Sequence, residues 1–188
     1  MVEQALTEGH KPNEITDKAL SAAMNVVGKD FGAKKIFLPQ VMLSAEAMRE
    51  AFIKIKERIP SDSVSNKGTI VIATVKGDIH DLGKNIVSAL LENNGFKVID
   101  LGKDIDKEEI IKAAIDNKAD MIGLCSLMTT TITQIDEVIA ELNKSDYSTK
   151  VMIGGAVVTQ EYADNVGANA YAPDGVEAVE IAKKLINK

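Results

Sequence analysis

The segment Gly77-Asp78-Ile79-His80-Asp81-Leu82-Gly83 sets a carboxylate and an imidazole between two glycines, directly after the apolar run Thr69–Val75. An imidazole can give one ring nitrogen to a metal while an acceptor holds the other. Asp78, two residues before His80, is placed to take the Nδ1–H, fix the tautomer and leave Nε2 for a metal. Gly83 has no side chain, so a bulky group can pass close to the backbone where a helix opens at Lys84. A second reading of the same residues is a hydrolase in which Asp78, His80 and Asp81 bind Zn²⁺ or Mg²⁺. Such sites generally draw more ligands than one tripeptide offers, and the only other histidine, His10, has no supporting context.

The elements around this loop place it at a sheet edge. From Thr69 onward, short β-rich runs alternate with helical stretches. The pattern predicts strands over 69–75, 96–101, 119–125, 150–154 and 169–172, with helices over 83–94, 106–117, 132–144, 158–166 and 175–187. Such alternation implies an α/β fold with a parallel sheet and right-handed crossovers. Five units suggest a flavodoxin-like, Rossmann-type order in which the first and third strands are neighbours. Ligands of such sheets bind at the carboxyl edge, where the segments of His80 and Cys125 should converge. Before residue 60, Ile15, Ala19, Leu20, Ala23, Met24, Val27 and Phe31 recur at helical spacing, as do Leu38, Val41, Met42, Ala45, Met48, Phe52 and Ile55. Both stretches read as amphipathic helices with one buried face. The expected organisation is a helical domain over 1–60, a linker over 61–68 and an α/β domain over 69–188.

Composition narrows the function. The chain has 188 residues, 45% of them hydrophobic and 27% charged, as in ordinary globular proteins. A net charge of −6 argues against a nucleic-acid partner, which needs clustered Lys and Arg. No apolar run is long enough to span a bilayer, and the N-terminus lacks the pattern of a signal peptide. One cysteine excludes an internal disulfide framework, so a reducing cytoplasm is the expected location.

Two further segments complete a pattern. Forty-one residues separate Gly83 from Cys125-Ser126-Leu127, and twenty-six lie between Leu127 and Gly154-Gly155. Asp78-x-His80-x-x-Gly83 with these two segments resembles the signature of cobalamin-binding domains of the methionine synthase and corrinoid-protein type. The helical half, through Met24-Asn-Val-Val-Gly28-Lys-Asp-Phe31-Gly32 and Phe37-Leu38-Pro39-Gln40-Val41, is similar to the cap helices of methionine synthase. The resemblance covers the chain from about Gly9. The family's helical module is a four-helix bundle, and Val2–Thr7 resembles the end of a helix, so the first helix is expected to be missing.

The resemblance implies roles residue by residue. His80 Nε2 would coordinate cobalt axially, displacing the cofactor's own base, whose nucleotide tail enters a slot past Gly83. Gly154 and Gly155 would line that slot, Leu127 and Thr129 would belong to it, and Cys125 stands where the family has a tail-binding serine. A thiol is a weaker donor than a hydroxyl, so the contact would loosen or pass to Ser126. Thr131 would bond Asp78 and complete a relay that tunes imidazole donation between Co(I) and methyl-Co(III). Phe31, Leu38 and Val41 would cover the methyl-bearing face of the corrin. Blander readings stand beside these. Phe31 and Leu38 fit a plain helical core, Thr129-Thr130-Thr131 could cap the next helix, and Cys125 is a small residue at a strand end. The acidic run Asp104–Glu109 fits a solvated helix start favoured by the dipole.

The implied function is a corrinoid methyl carrier. It would serve donor-specific and acceptor-specific methyltransferase proteins or domains and would not turn over alone. Methyltetrahydrofolate, methanol, a methylamine and a methoxyaromatic all remain open as donors, and a homodimer is compatible with this reading. The alternatives are the cobalamin subunit of a radical mutase, which lacks the helical cap, and a cobalamin-dependent sensor, which needs a DNA-binding region. A phospho-receiver domain shares the fold but needs an aspartate where Cys125 stands.

Overall fold

The helical half begins with α1 (Val2–Thr7). Helix α2 opens as a π-helix over Ile15–Ser21 and continues as α-helix over Ala22–Gly32, and α3 spans Leu38–Lys56. The computed structural model describes residues 1–10, 14–56 and 67–186, so most of the expected linker, residues 61–66, lies outside the described residues. In α3, Val41, Met48 and Ile55 form one stripe and are all buried. The expected stripe on α2 is narrower than its spacing implied. Ile15 and Met24 are buried, whereas Ala19 and Ala23 are exposed. The π-helical start explains the difference, because its i→i+5 winding breaks the 3.6-residue period used to assign the face. Met42, at the edge of the α3 stripe, is 45% exposed.

The β-rich runs form β1 (Thr69–Thr74), β2 (Lys97–Asp100), β3 (Met121–Cys125), β4 (Lys150–Gly154) and β5 (Ala170–Ala172). Between and after them run α4 (Leu82–Asn93), α5 (Lys107–Asp116), α6 (Thr133–Lys144), α7 (Gln160–Val166) and α8 (Gly175–Leu185). All fall within two residues of the expected spans. The strands are parallel in the order β2-β1-β3-β4-β5, which is the flavodoxin-like order, with β1 and β3 adjacent.

Alternation along the strands divides the sheet residues between two faces. On one, Val71, Ala73, Val75, Ile122, Leu124, Val151 and Ile153 join a core with Ile110, Ala114, Ile135, Val138 and Leu142. Each fully buried aliphatic side chain there contributes roughly 1.5–3 kcal/mol. The opposite parity carries Ile70, Ile72, Thr74, Met121, Gly123 and Cys125. The chain forms two compact units, Met1–Ser65 with Glu92–Gly95, and Asn66–Leu91 with Phe96–Lys188. Among the described residues no helix is long and apolar enough to cross a membrane.

Candidate functional site

Strand β1 pairs with β3 so that Thr74 lies opposite Cys125, and β3 pairs with β4 so that Cys125 lies opposite Gly154. The three sequence segments therefore end side by side at the carboxyl edge. At their centre Asp78 is 0% exposed. Its Oδ1 accepts from the His80 backbone N–H at 3.0 Å and lies 2.8 Å from His80 Nδ1. Its Oδ2 accepts from Leu127 N–H at 2.7 Å, Met128 N–H at 3.3 Å and the Thr131 hydroxyl at 3.0 Å. One carboxylate thus ties the β1 loop to the turn after β3.

The same contacts set its charge. Burial by itself raises the carboxyl pKa. The N–H donors of Leu127 and His80, the His80 ring and the Thr131 hydroxyl outweigh that and hold it down to about 2. An ionised carboxylate only accepts hydrogen bonds, so Nδ1 must carry the proton. His80 keeps Nε2 for a ligand bond, and its side chain is 46% exposed. The hydrolase reading fails on this geometry. Asp78 has both oxygens engaged in a dry site, and among the described residues no group of three His, Cys, Asp or Glu could hold a metal ion.

Thr131 is buried and turned toward Asp78, and α6 has no side-chain cap. The helix-capping reading of Thr129-Thr130-Thr131 is therefore not realised, and Thr129 is exposed in the turn. Ser126 corrects a second expectation. Its parity opposes that of Cys125, and its hydroxyl lies 2.9 Å from Thr131 Oγ1 and 3.5 Å from Asp78 Oδ2. It extends the hydroxyl network rather than substituting for Cys125. Burial pushes the Cys125 thiol up to about 12. The nearby Lys84 charge opposes this rise, while Asp100 and Asp78 add to it. The thiol is thereby held neutral.

The glycines divide by cause. A Cβ at Gly155, where φ is +123°, would lie 1.9 Å from the Ser126 carbonyl oxygen, and one at Gly154 would lie 2.9 Å from the Ala172 carbonyl oxygen. Backbone approach within the protein requires both. A Cβ at Gly83 would meet nothing within 4 Å, so that glycine leaves open space beside His80. Ile79, Leu82 and Leu127, exposed at 64%, 47% and 41%, add apolar surface at the same loops. A flat apolar ligand with a metal at its centre fits these features. In the helical unit, Phe31 is half-buried and Val41 is buried, while the Leu38 side chain lies outside the described residues.

Two outcomes follow from this geometry. Above about pH 4 the depressed Asp78 pKa contributes on the order of 2 kcal/mol, which is lost as pH falls through about 2. Asp78→Asn should be less stable at neutral pH and show a shallower acid limb in urea unfolding between those values. An acid limb equal to that of wild type would show that other groups set it. Gly155→Ala should lower the melting temperature of the cofactor-free protein, because the methyl overlaps the Ser126 carbonyl. Unchanged melting would mean that this glycine serves only a ligand.

Known proteins place this arrangement in a family. The B12 binding domain family matches residues 68–182, and a second family of that description matches residues 1–56. The chain is 46% identical over 178 residues to dimethylamine corrinoid protein 1 of Methanosarcina acetivorans, covering 93% of this chain and 84% of that protein. It superposes on the methanol:cobalamin methyltransferase complex MtaBC of Methanosarcina barkeri with a TM-score of 0.86 and 36% identity, covering 98% of this chain and 71% of that one. A cobalamin-binding protein of Desulfitobacterium hafniense gives 0.85 and 27%, covering 98% and 88%. The buried Asp78 that holds His80, the open space at Gly83 and the glycine pair of β4 are thus set in a chain that belongs to the B12 binding domain family.

Proposed function

We propose that this protein carries a methyl group on a corrinoid whose cobalt is held by His80 Nε2, working between partner methyltransferases. The observation that carries the reading is the buried Asp78 carboxylate, which takes Nδ1–H at 2.8 Å and so presents Nε2 as a lone-pair donor. When bound, the cobalt centre supplies the chemistry of accepting and releasing a methyl group. The chain's own residues hold and tune it. Gly83 gives the ligand room, and Ile79, Leu82 and Leu127 cover apolar surface. Cys125, Leu127, Thr129 and Gly154-Gly155 line the way toward the tail slot. The family resemblance assigns Phe31, Leu38 and Val41 to a cover that would exclude water.

The proton at Nδ1 is the tuning element. Its bond to Oδ1 makes the imidazole a stronger donor at Nε2, and the donors on Oδ2 moderate that effect. A proton added to the Asp78–His80 pair removes the carboxylate's support and weakens Nε2 donation. Thr131 and Ser126 set how readily the pair takes it. Asp78 and Thr131 therefore act on reactivity through His80.

The names of relatives such as dimethylamine corrinoid protein 1 make a methylamine the donor class we favour. The partner would be a methyltransferase, by analogy with the methanol:cobalamin methyltransferase complex MtaBC, one chain of which is similar to this one. The protein would act in the cytoplasm as one component of a cycle, without turnover alone. A homodimer is compatible with this role.

Loading the protein with cobalamin ¹⁵N-labelled in its lower base and reducing it to Co(II) tests the ligation. Electron paramagnetic resonance should show coupling to one axial ¹⁴N, that of the protein, and His80→Ala should abolish it. A ¹⁵N splitting in wild type would show that the cofactor keeps its own base, and the proposal would fail.

A further inference from the structure

The segment following β2 carries a residue whose contacts all fall on the His80 loop. Asp104 has φ of +58°, a conformation costly for most side chains and tolerated best by Asn, Asp and Gly. Its backbone N–H donates to the Asp78 carbonyl at 3.0 Å. Its Oδ1 accepts from the Gly77 N–H at 2.8 Å. It thus closes on both sides of the Gly77–Asp78 peptide unit. The expected solvated helix start holds from the N-cap Asp106 through Glu108 and Glu109 in the first turn of α5, whereas Asp104, also exposed, stands before the helix in a bend.

The brace is itself anchored. Thr74 N–H donates to the Gly102 carbonyl, Ile105 N–H donates to the Thr74 carbonyl, and Val75 bridges Ile105. Further back, Gly102 N–H donates to Asp100 Oδ1 at 2.8 Å. Both Asp100 oxygens take the ammonium of Lys84, whose side chain is 1% exposed, and Ser88 adds a hydroxyl at 3.0 Å. A lysine this buried holds its partner firmly, because losing either leaves an uncompensated charge. The segment 100–105 therefore runs from a fixed ion pair on α4 to the loop before His80.

We infer that Asp104 is a positioning residue for the axial ligand: it fixes the main chain of Asp78 while the turn after β3 fixes its side chain. Held at both, the carboxylate can keep the His80 ring in one orientation and one tautomer. The acceptor oxygen does this rather than the charge, since Lys76, which pairs with Asp104 at 3.7 Å, is solvent-exposed and screened. The inference rests on His80 being the cobalt ligand, and its test separates the two.

Two substitutions split the requirements at this position. Asp104→Asn keeps an acceptor and tolerates the left-handed backbone, losing only the charge. Asp104→Gly keeps the backbone without strain but removes the acceptor, and Asp104→Ser is a second variant, whose shorter side chain withdraws the carboxylate acceptor without glycine's added chain freedom. Each is loaded with cobalamin, reduced to Co(II), and scored by electron paramagnetic resonance for the fraction of bound cobalt with protein ¹⁴N coupling. Melting temperatures are recorded alongside. Asp104→Asn should match wild type, while Asp104→Gly and Asp104→Ser should lose about two- to ten-fold in that fraction. A general structural role would lower melting without changing the fraction among bound molecules. Wild-type fractions in Asp104→Gly and Asp104→Ser, or equal loss in Asp104→Asn, would overturn the inference with His80 ligation intact. Absence of protein coupling in wild type itself would overturn both.

Discussion

Asp78 is the constraint on which the site depends. A carboxylate with no exposure is costly unless every lone pair is met, and here the N–H groups of His80, Leu127 and Met128, the His80 ring and the Thr131 hydroxyl meet them. Satisfying it requires that the loop after β1 and the turn after β3 stand at a fixed separation. That separation exists because β1 and β3 are neighbours in the sheet. The topology, the burial and the imidazole orientation are three aspects of one arrangement. Nothing on the apolar faces need change for the site to be lost if Oδ2 loses its backbone donors.

The glycines show how one motif can answer to different demands. Gly154 and Gly155 permit backbones to approach where β4 leaves the sheet, and the Ser126 carbonyl beside Gly155 belongs to the same turn that feeds Asp78. A side chain there would reach the ligand only through the protein's own structure. Gly83 stands in open space, so no packing within the protein accounts for it, and in the proposed function it gives the ligand room. Cys125 shows restraint of another kind. Its thiol is kept neutral by burial next to a lysine whose charge is already spoken for by Asp100.

Much of this was legible in the residues. Runs such as Thr69–Val75, followed by turn residues, mark buried parallel strands, and the position of Asp78 before His80 identifies the ring's partner. Less legible were groups without a side-chain signature. The Leu127 and Met128 N–H donors can be any residue, and only the fold aims them. The structure departs from the expectation for Ser126 because strand parity continues past Cys125. The period-two alternation from Ile122 and Leu124 puts it on the face opposite Cys125. Lys84 and Ser88 share a helical face with Leu91, which is the one signal that a lysine there faces inward. Asp104 lies in an acidic run that charge assigns to solvent, and it is exposed as that implies; its left-handed φ and its hold on Gly77 and Asp78 have no sequence mark beyond its being an aspartate. The π-helical opening of α2 defeats any fixed period.

Asp78 fixes His80 as the Nδ1–H tautomer before any ligand arrives, so that Nε2 stands ready as a donor. Nitrogen NMR of the cofactor-free protein with ¹⁵N-labelled histidine, recorded at about pH 8.5 where imidazole is ordinarily neutral, reads this directly. His80 should show a protonated Nδ1 and a bare Nε2, with no averaging between tautomers. A protonated Nε2, or the averaged shifts of a freely exchanging ring, would contradict the account.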